Sequence, residues 1–254
     1  VEELRAFSKI LPDFKNNLVL RIQASPGFRL NYTDTEISQI INTGKKLGLS
    51  DDVINDMLFI GCRTAKPINS SELMIQMDNW INVISKRGYP YKFTNIDQFE
   101  GFKKEIKSGL RDINVSNSDV RIQGSALRTP NANDVDIVAM INKTEFENIL
   151  KKAYNDKIKK NGIIIKLNNM TSSELKTLSH DITTNPSFYN GVAKLDFNYN
   201  FVRQIINAKP DKGVIEGFKS LKDKLRVKYP NLNIENISIQ CGEGIFDLKP
   251  FIKL

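Results

Sequence analysis

The chain has 254 residues, of which 40% are hydrophobic and 26% charged, and its formal net charge is +8. That composition fits a globular protein with ample length for a core, and the positive excess admits a polyanionic partner. It offers no apolar run as long as a membrane span, no metal-like spacing of Cys62 and Cys241, and one histidine, His180, which rules against a metal site or catalytic triad built on histidines.

Residues 1 to 32 combine an amphipathic start (Leu4, Phe7, Ile10, Leu11) with an apolar run from Leu18 to Ile22, broken at Ser25-Pro26-Gly27. From Thr33 to about Gly88 the spacing predicts helices. Ile37, Ile40, Ile41 and Leu47 mark the first. Ser50 caps the second, which carries Val53, Ile54, Met57, Leu58 and Ile60. Ser70 and Ser71 open a third, with Leu73, Met74, Met77, Trp80, Ile81 and Ile84, ended by Gly88-Tyr89-Pro90. Its Met and Trp stripe reads as a core face, and Arg63 and Lys66 read as surface charges. These residues form a helical N-terminal domain, 1–92, followed by a second domain, 93–254, with Tyr91 to Asn95 as the joint.

Ile96, Phe99, Phe102, Ile106, Leu110 and Ile113 give a helical stripe that stops before Asn114-Val115-Ser116-Asn117. Val120 and Ile122 then alternate with Arg121 and Gln123 as a strand does, and the strand runs into Gly124-Ser125. Past a polar loop, Val135 to Ile141 forms a second strand. Thr144 and Glu147 have capping-box spacing for a helix that Gly162 ends, and Ile163 to Leu167 reads as a strand. Thr171 and Glu174 repeat the capping box before Leu175 and Leu178. Ala193 to Phe201 alternates as a strand, Ile215, Phe218, Leu221 and Leu225 mark the last helix, and the chain closes in a hairpin of Ile237 to Cys241 and Ile245 to Phe251.

The chemistry concentrates at residues 120–141. Small residues at Gly124-Ser125 let the backbone turn tightly and approach a ligand, and a short helix start at Ala126-Leu127 would turn backbone N–H groups toward a phosphate. Asp134 and Asp136, one residue apart, point to the same face. Side-by-side carboxylates repel unless a cation sits between them, and Mg²⁺ prefers such oxygen ligands. A turn of this kind feeding a carboxylate pair points to metal-assisted nucleotidyl transfer. The bland reading is a Gly-Ser turn and two solvated aspartates.

Gly124-Ser125, eight intervening residues and Asp134-Val135-Asp136 resemble the signature of the DNA polymerase β-like nucleotidyltransferase superfamily. The longer stretch from Arg121 through Asp136 also resembles C-terminal toxin regions of bacterial polymorphic and contact-dependent growth inhibition toxins. The resemblance implies an α+β fold, a helical N-terminal delivery or supporting domain followed by a nucleotidyltransferase domain with a mixed sheet. It implies that Gly124 and Ser125 hold a nucleoside triphosphate and that Asp134 and Asp136 bind catalytic Mg²⁺ or Mn²⁺; Arg128, near the loop, reads equally as added positive charge at the site or as a surface residue. A third carboxylate is expected from a later strand: Asp247, flanked by Phe246 and Leu248, is preferred, with Asp196 as the alternative and a salt-bridged or solvated Asp as the rival reading of each.

The implied reaction is two-metal transfer of a nucleotide to an acceptor, and the basic charge favours RNA such as tRNA. The alternatives are a nuclease or nucleic-acid-binding toxin without transfer activity, or a transferase for small molecules or proteins. As a toxin, the chain is expected to be exported as the C-terminal part of a larger secreted or surface protein. The start at Val1 rather than Met favours that origin. It would act in the cytoplasm of a competing cell and meet a cognate immunity protein, acidic to match the charge.

Overall fold

In the computed structural model, which describes residues 2–115, 119–207 and 217–254, capping side chains fix where the first helices begin. Helix α1 spans Glu2–Gln23. Thr33 and Glu36 close a reciprocal capping box ahead of α2, Asp34–Lys46, and the Ser50 hydroxyl accepts from Val53 N–H ahead of α3, Asp51–Gly61. Asn69, rather than Ser70 or Ser71, caps α4, Ser70–Asn79. That helix widens into a π turn at Trp80–Ile84 and tightens again in α5, Ser85–Arg87, before left-handed Gly88 stops it.

These helices belong to one of two compact units: Val1–Phe99, Gln123–Asn133 and Leu248–Ile252 form the first, and Glu100–Ile122, Asp134–Asp247 and Lys253–Leu254 the second. The first unit thus takes in two segments from far down the chain as well as the N-terminal helices. Its core holds Ile37, Ile40, Ile41, Ile54, Met57, Leu58, Phe59, Leu73 and Met77, so the methionine stripe is packing, while Arg63 and Lys66 are exposed as expected. Phe28 stacks on Phe59 at 4.1 Å between ring centroids, with the Arg21 guanidinium 4.4 Å from the centre of the Phe59 ring. Arg21 Nη1 also donates to Asp56 (2.7 Å), whose other oxygen accepts from the Lys249 amide (2.8 Å).

In the second unit, α6 (Ile96–Asp112) packs against α10 (Phe218–Lys228): a Cβ on Gly109 would lie 2.1 Å from Leu221 Cδ1, and Glu105 takes both Lys224 and Lys228 as ion-pair partners. Ile215, assigned by the sequence to this last helix, lies outside the described residues, as do Ser116 and Asn117. The α+β character is as expected, with a mixed five-stranded sheet in the order β6-β7-β2-β1-β8. Its strands are β1 (Asp119–Gln123), β2 (Asp136–Ile141), β6 (Ile205–Asn207), β7 (Ile237–Cys241) and β8 (Ile252–Lys253). Strand β7 runs parallel to β2, with Ile137 opposite Ile237, and antiparallel to β6. A second sheet, β4-β3-β5, is built from β3 (Ile158–Lys160), β4 (Ile163–Ile165) and β5 (Tyr189–Asn190).

Several sequence expectations are corrected. Helix α7, Lys143–Tyr154, begins at cap Asn142, whose side chain accepts from Glu145 N–H; Thr144 is inside it and forms no capping box with Glu147. The helix stops at Tyr154, and Gly162 instead forms the turn between β3 and β4. The Thr171–Glu174 capping box does form, opening α8, Ser172–Thr184. Residues 193–201 are not a strand but lie in α9, Val192–Arg203. Leu195 and Tyr199 are 59% and 47% exposed while Phe197 is fully buried, and Phe197 stacks on Phe201 one turn away. The alternation of large residues was real, but helical i,i+4 pairing used it. Finally, Ile245 to Phe251 is no return strand; it is irregular, and only Ile252–Lys253 rejoins the sheet.

Gly61 supplies a test of the packing in the first unit. A Cβ there would fall 1.9 Å from the Tyr32 hydroxyl, which donates to Ile68 O at 2.6 Å. Gly61→Ala is therefore expected to lower stability by about 1–3 kcal/mol, read from urea unfolding midpoints; an unchanged midpoint would show that Tyr32 can leave this position freely.

Candidate functional site

The Gly-Ser turn lies in the first unit. Gly124, at φ 87° and ψ −164°, adopts a conformation that a side chain would oppose, directly after β1. Ser125–Leu127 then forms a single tight turn, closed by Arg128 N–H and Thr129 N–H donating to Ser125 O, both at 2.9 Å. The expected helix start is thus one turn and no more. The loop is pinned at several points: Tyr91 N–H donates to Ala126 O (3.1 Å), Asn79 Nδ2 to Arg128 O (2.9 Å) and Gln123 Nε2 to Leu248 O (3.2 Å). Ala126 and Leu127 are buried, which leaves Gly124 and Ser125 as the half-exposed part of the turn.

Arg128 is neither a surface residue nor displayed on the loop. It is 5% exposed, and its Nε donates to Gln76 Oε1 at 3.1 Å, while Gln76 Nε2 donates to Glu72 at 3.0 Å. Its guanidinium is thereby tied to α4. Beside the turn, the Arg87 guanidinium lies 4.2 Å from the Tyr89 ring centre and 5.3 Å from that of Tyr91. Sequence reasoning read Gly88-Tyr89-Pro90 as a helix end and Tyr91 to Asn95 as a joint; the signal missed was an arginine within four residues of two tyrosines.

The carboxylates lie in the second unit. Val135 is fully buried, and Asp134 and Asp136 on either side of it are half-exposed, as the period-two expectation requires. Both aspartates have interactions of their own in the structure. The register of β7 on β2 places Ser238 and Gln240 on the face that Asp136 shares with Val138 and Met140.

Asp247 is held in a different way from a strand residue. Its N–H donates to Gly244 O (3.1 Å), and its carboxylate accepts from Glu243 N–H (3.1 Å) and from Arg121 Nη1 (2.7 Å). Arg121, on β1, also donates twice to Asp119, from Nε at 2.9 Å and Nη2 at 2.6 Å. One guanidinium thus bridges two carboxylates. Burial pushes the Asp119 carboxyl up, but Arg121 and Lys253 more than reverse this and hold it below its ordinary value. Asp196 is on α9 rather than on a strand, and Tyr154 is pushed up to about 12 by burial and by the Asp196 charge. Among the described residues, no three His, Cys, Asp or Glu side chains are gathered so that they could hold a metal ion.

Elsewhere, His180 is exposed on α8, and Cys62 and Cys241 are free and buried. No helix of the described residues is long and apolar enough to cross a membrane. In comparisons with known proteins, no family model, curated protein or solved structure matches this chain.

The Arg121 bridge makes a pH-dependent prediction. A carboxyl whose folded pKa is depressed contributes stability above its unfolded value, about 4, and loses it as pH falls through the folded value. Arg121→Met should cost about 1–3 kcal/mol near neutrality and flatten the loss of stability between neutral and acid pH. Urea midpoints for both proteins at pH 7 and 3.5 would check it; parallel pH profiles would refute it.

Proposed function

We propose that the chain is a divalent-metal-dependent nucleotidyltransferase that moves a nucleotide from a nucleoside triphosphate to RNA such as tRNA, as the toxic part of a larger exported protein. The observation that carries this reading is local: β1 ends just before Gly124, which adopts a glycine-only conformation, and a pinned turn leads on to β2, which opens at Asp136, with Asp134 just ahead of it across buried Val135. The resemblance of this stretch to the polymerase β-like signature supports the same reading.

In this proposal Gly124 leaves room for phosphate oxygens to approach the backbone, and Ser125 offers its hydroxyl and N–H as donors. Arg128 holds the turn against α4 rather than contacting the nucleotide. Asp134 and Asp136 fit Mg²⁺ or Mn²⁺ as a pair of hard oxygen donors, and Mg²⁺ is commonly held by one or two carboxylates plus substrate phosphates. The ion would neutralise phosphate charge and lower the pKa of the acceptor hydroxyl. Asp247 fits that group less well, because Arg121 already occupies it. Export from the producing cell, action in the cytoplasm of a competitor and protection by an acidic immunity protein complete the proposal.

The engagement of Asp247 by Arg121 favours one second reading, a nuclease or nucleic-acid-binding toxin without transfer activity. Incubating the protein with Mg²⁺, each α-labelled nucleoside triphosphate and total cellular RNA separates the two. Label should enter RNA, vanish with chelator, and fall by at least about 10²-fold in Asp136→Ala under conditions where urea unfolding shows that variant still folded. Incorporation equal to wild type would sink the transferase proposal, and RNA cleavage without incorporation would replace it.

A further inference from the structure

Strands β3 and β4 of the second unit form a hairpin whose turn is Asn161-Gly162, both left-handed at φ 50° and 82°. This is the preferred chemistry of a two-residue hairpin turn. Lys160 pairs with Ile163, Lys159 with Ile164, and Ile158 with Ile165. In such a hairpin the pair next to the turn exchanges the hydrogen bonds, so the backbone N–H and C=O of Ile164 point away from β3. Strand β4 is the outermost in the order β4-β3-β5, so that side faces no other strand of the sheet.

An outer strand is normally blunted by shortness, a charge, a proline or a bulge on the strand itself, or by a covering element. Strand β4 is short, at three residues, but carries no charge, proline or bulge. It is three isoleucines, with Ile163 73% and Ile164 49% exposed, and Asn161 N–H donates at 2.7 Å to the carbonyl of Phe188, a further exposed apolar residue. Around this apolar edge the exposed charge is mostly positive. Lys157, Lys159 and Lys166 are exposed and form no ion pair among the described residues, whereas Lys160 is committed to Asp181. The one acidic residue between positions 155 and 166 is Asp156.

We infer that β4 is a docking edge for an extended, acidic segment of a partner protein, which adds a strand to the β4-β3-β5 sheet. Main-chain bonds to Ile164 give the segment its affinity, Ile163 and Ile164 give it apolar contact, and the lysines select carboxylates. A second copy of this chain would set the same lysines against one another, on a molecule already at +8. The inference rests on this surface alone and is independent of the transfer reaction.

The test uses the full chain and two fluorescent ten-residue peptides, one alternating Glu with Val and one alternating Lys with Val. The acidic peptide should bind and slow exchange of the Ile164 amide, and the basic one should not. Ile164→Pro removes an N–H that β3 does not use and should weaken acidic-peptide binding by about tenfold or more; Ile163→Lys, at a highly exposed site, should weaken it without disturbing the hairpin. Changing Lys157, Lys159 and Lys166 together to Glu should reverse the preference to the basic peptide. No binding of the acidic peptide, equal binding of both, or binding untouched by Ile164→Pro and Ile163→Lys would overturn the proposal. Dimerisation of the chain that Ile164→Pro abolishes would also overturn it, by naming a second copy as the occupant.

Discussion

A guanidinium that is mostly withdrawn from water cannot be left without counter-charge, and Arg121 meets that constraint with two carboxylates at once. Asp119 lies two residues before it on β1, and Asp247 comes from the irregular segment after β7. Lys253 on β8 shares Asp119. Arg121 thereby ties β1 to the irregular segment after β7, while Asp119 also ties it to β8 through Lys253. It also decides what Asp247 is free to do. A carboxylate that accepts from a guanidinium and a backbone amide has part of its capacity spent before any cation arrives.

That interaction shows why the surroundings of the candidate site residues were legible in the sequence only in part. The local placement of Gly124, Ser125, Asp134 and Asp136 could be read because it follows local rules: a backbone conformation that excludes side chains, and the alternation of burial around Val135. Asp247 and Arg128 could not, because their partners are remote. Arg121 stands 126 residues from Asp247, and Gln76 stands 52 from Arg128. Nothing near either residue in the sequence announces the partner. Arg121 itself looked like the solvent-facing half of an alternating strand, which is how a polar strand residue reads until its partner is known.

The fold divides in the same way. Helices with caps and full apolar stripes, α2 to α4 and α6, were readable. Residues 192–203 were not, because Leu195, Phe197, Tyr199 and Phe201 satisfy a strand repeat and an i,i+4 helical pair equally well. The Asn161-Gly162 hairpin was overlooked for a different reason. Its first strand is only Ile158–Lys160, and the lysines there looked like the exposed side of a longer helix. The turn pair itself was the stronger signal, since only a few residues tolerate two successive left-handed positions.

The bonds from Lys249 to α3 carry a temporal consequence. Asp56 receives the Lys249 amide across 193 residues, and Asp52 receives its ammonium. Synthesis runs from the N-terminus, so the helices of the first unit emerge long before the segment that completes them. Until that segment has emerged, Asp56, paired with Arg21 in α3, lacks the backbone donor that its second oxygen meets in the folded unit. The helices of the first unit are thus completed only by a segment made 193 residues after Asp56, and a ribosome that stopped before Lys249 would release them without that backbone partner.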